Sequence, residues 1–354
     1  MPGRRIRRVI AGPILQIGFG AFGPTHLRAW QAMGMADRLI VADPDHDARA
    51  RAAVLAPECR QIADYRLALA ECAAVDILTP TNTHHAIACE ALAADKPLFI
   101  EKPVVGTSEQ ARDLVARAQA AAQTVMAGYY FRFHPKSLEL RRQIVAGDLG
   151  QLRLLSGRFA GFKRTRKDSG ALHNDAVHFL DLFCWLVGAL PDRVFGVTRD
   201  HFGRGLDDMA LIVLQWNNGA VAQIEAGYVQ PGKWPDTVVP GAITSKEIAV
   251  SGSHGAIEID YAAETYVEHR VAHDNRDGVW TPRFAAPAAQ RTVAAADAVA
   301  VLTAELSDFL RRIENGDTPT GFADDGLDGG LNMARLLEAV ENSARENRVV
   351  TLQG

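Results

Sequence analysis

The run Ile14-Leu15-Gln16-Ile17 breaks directly into Gly18-Phe19-Gly20-Ala21-Phe22-Gly23, and no other stretch narrows the fold as much. Three glycines between a strand and a helix suit a tight turn, close approach of backbone to a pyrophosphate, and packing of the next helix, whose first N–H groups attract phosphate oxygens. Asp43 closes the next apolar run about 20 residues beyond the loop, where a carboxylate accepts hydrogen bonds from a ribose 2′-hydroxyl and repels a 2′-phosphate. The expected cofactor is NAD, with NADP less favoured.

Apolar runs alternate with helical patterns through the first 128 residues. Strands are expected at 14–17, 39–42, 75–78, 98–100 and 125–127, and helices at 24–33, 83–93 and 108–122. That alternation is the mark of successive βαβ units and a parallel sheet. After Arg132 the texture changes. Residues 209–216 and 220–229 flank Asn217-Asn218-Gly219, and 248–251 and 256–261 flank Gly252-Ser253-His254-Gly255, which predicts antiparallel hairpins. Helices return at 172–187, at 297–315 with Gly316 as a cap, and at 327–346. At about 150 residues per domain, 354 residues correspond to two: residues 1–128 for the dinucleotide and 129–354 for substrate and oligomerisation.

A formal charge of −4 with mixed signs offers no broad basic field to a nucleic acid, so a small molecule is the expected partner. No stretch reaches the roughly 18 consecutive apolar residues of a membrane span. Arg4, Arg5, Arg7 and Arg8 read as a solvated basic tail, because the apolar stretch after them is the first core strand and not an export signal. A cytoplasmic location is therefore expected. Cys59, Cys72, Cys89 and Cys184 show no CxxC spacing and are read as reduced thiols, with no metal site.

Chemistry concentrates at three places. Pro97-Leu98-Phe99-Ile100-Glu101-Lys102-Pro103 ends an apolar strand in a carboxylate, an ammonium and a rigid turn, at the sheet edge where ligands of open α/β sheets sit. The preceding strand ends in Thr79-Pro80-Thr81-Asn82-Thr83-His84, where Asn82 and His84 either line the nicotinamide side or serve as turn and cap residues. On the helix near Leu172, at about 100° per residue, Asn174, His178 and Asp181 share a stripe roughly 60° wide on an otherwise apolar surface. Histidine takes a proton from an alcohol near neutral pH; the bland alternative is a core histidine satisfied by Asp175 or Asp181. Arg158, Lys163, Arg164, Arg166 and Lys167 read as a solvated loop, or as cover over a pocket for an acidic or phosphorylated sugar. Trp234 and Pro235 read as part of a lid or of a contact with a neighbouring subunit.

Taken together, the loop Gly18 to Gly23, the segment Asp76 to His84, Glu101-Lys102-Pro103, Gly128 to Pro135 with Arg132, Ala171 to Asp181, and the tail from Phe309 through Val349 resemble the Gfo/Idh/MocA oxidoreductases. The resemblance implies an α/β chain with an N-terminal Rossmann doubly wound parallel sheet, plus a C-terminal α+β domain built on a large, mostly antiparallel sheet that forms a homodimer or homotetramer. It implies hydride transfer between a carbohydrate or polyol hydroxyl and nicotinamide. Gly18, Phe19, Gly20, Ala21, Phe22, Gly23, Asp43, Thr79, Pro80, Asn82, His84, Glu101 and Lys102 are the residues expected around the cofactor. Lys102 corresponds to the family lysine on the reacting oxygen and His178 to the family acid/base, with Arg132 and Asn174 completing the substrate set. This chain departs from the pattern at Asn174, where the family usually has aspartate, with Asp175 displaced by one, and at Tyr130, which replaces a polar residue before the family arginine. Two other activities occur on this fold: NAD-using glycosidases that oxidise transiently, and sugar-sensing regulators without catalysis.

Overall fold

The computed structural model describes residues 12–316 and 327–352, and the basic cluster Arg4 to Arg8 lies outside them. The chain forms two compact units, Met1–Phe133 with Ala296–Arg335, and His134–Ala295 with Leu336–Gly354. The single boundary expected after residue 128 is therefore corrected: the chain returns to the first unit. The cause is the helix Ala298–Asn315, capped by the Asp297 carboxylate on the Ala300 N–H and closed by Gly316 at φ 68°. Its apolar face (Leu302, Leu306, Phe309 and Leu310) belongs to the same core as Ile14, Leu27, Trp30 and Phe99, and the Phe309 and Phe99 rings meet edge-on at 5.8 Å.

In the first unit β1 (Ile14–Ile17), α1 (Gly23–Ala32), β2 (Leu39–Ala42), α2 (His46–Leu55), β3 (Arg60–Ile62), β4 (Ala74–Ile77), α3 (Thr81–Ala93), β5 (Leu98–Glu101), α4 (Ser108–Ala121) and β6 (Val125–Gly128) follow one another. Their strands make a six-stranded parallel sheet in the order β3-β2-β1-β4-β5-β6. Strand order reverses between β1 and β4, and dinucleotides bind outside the carboxyl ends of strands at such a switch point. β1, β2 and β4 are buried at every position, as strands covered on both faces must be. The sequence pattern did not disclose α2 or β3. α2 buries only Ala48 and Ala52, and β3 has three residues, none fully buried, so neither leaves a clear apolar period.

The second unit opens with α5 (Pro135–Val145) and the long strand β7 (Leu152–Phe162), then a π-helical turn over Leu172–Ala176 that runs into α6 (Val177–Val187). β8 (Arg193–Arg199), β9 (Met209–Gln215), β10 (Val221–Gly227), β11 (Trp234–Pro235), β12 (Ile243–Gly252), β13 (Ala256–Asp260) and β14 (Thr265–His269) follow, then an isolated hairpin of β15 (Val271–Arg276) and β16 (Val279–Phe284), and β17 (Ala289–Gln290). With β18 (Val350–Thr351) they form a ten-stranded sheet ordered β17-β14-β13-β12-β7-β10-β9-β8-β18, β11 pairing with β12. Every pairing in it is antiparallel except β7 with β10. Both expected hairpins, β9–β10 and β12–β13, are present.

Period-two alternation gives this sheet two unlike faces. Ala210, Ile212, Leu214, Ala222, Ile224 and Ala226 are buried. At Gly157 in β7 a Cβ would come within 2.8 Å of the Phe179 ring and 2.9 Å of Phe183, so only glycine lets α6 lie this close. On the opposite face Leu211 is exposed, and a shallow concavity of about 710 Å³ is lined by Ser156, Arg158, Val213, Gln223, Glu247 and Glu258 among others.

Candidate active site

In the first unit the glycine loop leaves β1 with Gly18 at φ 100°, a conformation closed to most side chains, and a Cβ there would sit 3.0 Å from the Leu78 backbone. Phe19 is wholly buried and turns its ring into the core. Gly20 and Ala21 are exposed at the tip. Phe22 precedes α1, Gly23 is the helix's first residue and Pro24 follows it, and no side chain caps the helix terminus by a hydrogen bond. Asp43, half-buried at the end of β2, accepts from the Phe19 N–H at 2.7 Å and, through its other oxygen, from the Asp45 N–H at 2.9 Å. An uncapped helix start, an exposed loop tip and a carboxylate tied to the loop with lone pairs to spare are what a dinucleotide's phosphates and ribose require.

Two strands further along, Thr79 and Pro80 lie in the turn after β4, and the Thr83 hydroxyl bridges the Thr79 hydroxyl and the Pro80 carbonyl, both at 2.7 Å. Asn82 is exposed. His84 is not: it is 1% exposed, with Nε2 2.6 Å from the Thr79 carbonyl oxygen and Nδ1 3.0 Å from that of Pro103. Burial lowers its pKa, and a neutral ring carries one N–H, so only one of those contacts is a hydrogen bond at a time. The histidine thus ties the turn after β4 to the turn after β5. Lys102 sits between them, half-buried at the carboxyl end of β5.

Behind Lys102 is a buried network that the sequence did not reveal. Glu101 accepts from the Lys102 N–H at 3.2 Å and meets His26 Nε2 at 3.3 Å, while Asp76 meets His26 Nδ1 at 2.9 Å and accepts from the Trp30 indole at 2.9 Å. Glu101, expected at the cofactor, thereby turns its carboxylate inward. Burial alone would lower the His26 pKa, but the charge and hydrogen bond of Asp76, followed by Glu101, raise it to about 9. Arg132 is 1% exposed, its guanidinium 4.7 Å from the Tyr129 ring centroid, so it is packed inside and not displayed at the surface.

In the second unit the π-helical turn carries Asn174 and Asp175. Such single turns are wider than an α-turn and recur at functional sites, so the stripe drawn at 100° per residue does not hold through it. The turn is held at its start by Asp207, whose carboxylate accepts from the Leu172 N–H at 2.7 Å. His178, half-buried in the first turn of α6, packs its ring 5.2 Å from that of Phe159. Asp181 is buried at 2% exposure.

The solvated-loop expectation fails at Lys163. Its side chain is 5% exposed and donates to Asp175 Oδ1 at 2.7 Å, and the same oxygen accepts from the Asn174 amide at 2.7 Å. The Lys163 ammonium also lies 4.6 Å from the Phe159 ring centroid and 5.4 Å from that of Tyr228. Burial, then the carboxylates of Asp175 and Asp207, push the Tyr228 phenol up. Lys246, paired with Asp236 at 2.9 Å, approaches Phe159 from 5.4 Å. Arg158 lies within β7 and not in a loop, paired with Glu225, whereas Arg166 behaves as read, in a partly exposed pair with Asp168. Trp234 is 42% exposed and donates to Asp260 at 2.9 Å. A lysine closing β7 gave no sign of its burial, because its partner is 12 residues away across the sheet–helix connection.

Comparison with known proteins agrees with this layout. Residues 14–129 match the family model described as "Oxidoreductase family, NAD-binding Rossmann fold", and residues 137–258 match the GFO/IDH/MocA C-terminal domain. Inositol 2-dehydrogenase 2 of Saccharopolyspora erythraea is 28% identical over 229 residues, spanning 60% of this chain and 66% of that protein. UDP-N-acetylglucosamine 3-dehydrogenase of Acidithiobacillus ferrooxidans is 34% identical over 217 residues, with the same two shares. A levoglucosan dehydrogenase solved with NADH and levoglucosan superimposes with a TM-score of 0.80 at 20% identity, over 97% of this chain and 100% of that one, which is a likeness of fold. With one domain model of the family on each half of the sequence, the chain belongs to the Gfo/Idh/MocA oxidoreductases.

Proposed function

We propose that the protein is an NAD-dependent dehydrogenase or reductase that moves a hydride between nicotinamide and a hydroxyl-bearing carbon of a sugar, cyclitol or sugar derivative. The observation that carries this reading is Lys102, half-buried at the carboxyl end of β5, on the same sheet edge as the glycine loop and Asp43. An ammonium beside a dinucleotide crevice suits an alcohol whose oxygen gains negative charge as its C–H is lost. Bound NAD supplies the hydride acceptor. Lys102 then stabilises the charge developing on the substrate oxygen, and His178 removes its proton. Asn174 holds the substrate by hydrogen bonds without exchanging protons. Asp175 carries the negative charge that the family places at position 174 and shares it with Lys163.

Relatives named for inositol and a nucleotide sugar, and a fold neighbour solved with levoglucosan, support a carbohydrate or polyol as substrate. Asp43 favours NAD over NADP, since a 2′-phosphate would meet its charge. The cytoplasm, where NAD and reduced thiols are both found, is the proposed location.

A panel of cyclitols, aldoses, polyols and uronic acids, followed by NADH absorbance, tests the reading. Net NADH accumulation with one class is expected. Turnover that leaves NAD unchanged while a glycosidic bond is cut would favour transient oxidation, and sugar binding without either change would favour a sensor.

A further inference from the structure

On the helical layer of the first unit three side chains of different chemistry converge. His85 and Cys89 stand four residues apart on α3, hence on one face, and Asp113 comes from α4, which packs against it. His85 Nε2 lies 2.8 Å from Asp113 Oδ2, and Cys89 Sγ lies 3.7 Å from each of these two atoms. Neither His85 nor Asp113 is sealed off, at 27% and 38% side-chain exposure.

A nucleophilic Cys-His-Asp relay is ruled out by the ring itself. In such a relay the carboxylate binds one imidazole nitrogen and frees the other for sulfur, whereas here the same Nε2 faces both. A metal ion makes the opposite demand, one lone pair from each of three atoms aimed at one point. With Zn–S near 2.3 Å and Zn–N or Zn–O near 2.1 Å, a tetrahedral site has ligand–ligand edges of about 3.5 Å. The two sulfur edges already match, and the His85–Asp113 edge has to open by about 0.6 Å, from a hydrogen bond to a ligand edge.

We infer that His85, Cys89 and Asp113 form a binding site for a borderline divalent transition ion, Zn²⁺ above all, that bridges α3 to α4 and leaves a fourth position to water. Thiolate and imidazole together select such an ion over Mg²⁺ or Ca²⁺. On binding, the Cys89 S–H bond is replaced by a metal–sulfur bond and its proton passes to solvent, while the proton that His85 Nε2 donates to Asp113 is exchanged through solvent for one on Nδ1, which frees the Nε2 lone pair for the ion. One group opposes loading: Arg117 Nε donates to the ligand oxygen Asp113 Oδ2 at 2.7 Å. Its guanidinium is half-exposed and moves to the other carboxylate oxygen or to water when the ion enters. The site is independent of the proposed oxidoreductase chemistry.

The full chain, stripped with chelator, is titrated with Co²⁺ as a spectroscopic substitute for Zn²⁺, and then with Zn²⁺ in competition. One equivalent should bind with a thiolate-to-cobalt charge-transfer band in the near ultraviolet. Cys89→Ser and Cys89→Ala should both lose the band, His85→Gln and Asp113→Asn should each weaken binding at least about tenfold, and Arg117→Gln should tighten it. The proposal is overturned if the folded wild-type chain gives no thiolate band. A band that survives both Cys89 variants, or an affinity indifferent to His85→Gln and Asp113→Asn, overturns it equally.

Discussion

Single side chains divide the candidate chemistry between a surface role and a buried one. Lys102 and His178 are half-buried, as groups that meet a substrate must be, and both act on its oxygen in the proposed mechanism. Lys102→Ala and His178→Ala should each lower kcat about 100-fold or more with NAD affinity nearly unchanged, as measured by steady-state kinetics beside calorimetric NAD titration. A histidine that merely packs against Phe159 would instead lower the melting temperature and spare turnover in the folded fraction. Asp175 and Lys163 are the buried pair. Removing one member strands the other's charge, so Asp175→Asn should cost about 3–5 kcal/mol in a denaturant titration. Combining it with Lys163→Met should recover a large part of that loss. Additive losses in the double variant would show that the two side chains are not coupled. Asn174→Ala leaves no charge uncompensated and should cost far less stability while raising KM.

At the scale of elements, the ends of β4 and β5 are held from behind by charge and from the side by a histidine. His26 joins α1 to Asp76 in β4 and Glu101 in β5, and its pKa is raised to about 9 in the folded chain. Below the unfolded value near 6.5 both states are protonated and the stabilisation is complete. As pH rises through that value the unfolded chain releases a proton that the folded chain keeps, so stability declines until the folded group also titrates, near pH 9. Unfolding midpoints should therefore fall by an amount worth a few kcal/mol between about pH 6 and about pH 9, and His26→Gln should flatten that slope. A wild-type midpoint that is level or rising across this window would place the histidine's proton elsewhere. Helix α1, which follows the glycine loop, and the Lys102 turn share this one buried network, so its loss should also weaken NAD binding.

For the whole molecule, the large sheet in the second unit has one face under α6 and another that is open, with Leu154, Leu211 and Ile243 between about two-fifths and one-half exposed. The separate hairpin of β15 and β16 adds Val279, Trp280 and Phe284 to the exposed apolar surface. Covering these side chains with a second copy would remove apolar area from water. We propose a homodimer or homotetramer assembled through this sheet, and light scattering at micromolar concentration should give at least twice the chain mass. Leu211→Arg with Leu154→Arg, both outward-facing and remote from the proposed chemistry, should shift the mass toward the monomer. A wild-type monomer would remove the interface and leave the catalytic proposal standing.

Local pattern carried most of the first unit. Glycines between a strand and a helix, an aspartate at the next strand end and short, largely apolar strands are legible because each reflects a constraint within a few residues, and they set the parallel sheet, the NAD-type crevice and the position of Lys102. The Gly316 cap was legible for the same reason. Tertiary structure decided what depended on distant neighbours. The helix Ala298–Asn315 went to the first unit because its apolar face found a core made by residues more than two hundred positions earlier. His84 became a tie between two turns, Lys163 a buried counterion, and His26 a proton held between two strands, since burial and charge pairing are properties of what surrounds a side chain and not of its place in the sequence. The π-helical turn at Leu172–Ala176 belongs with these: helical periodicity predicted the helix but not the wider first turn, held at its start by the Asp207 carboxylate, which moves Asn174 and Asp175 relative to His178.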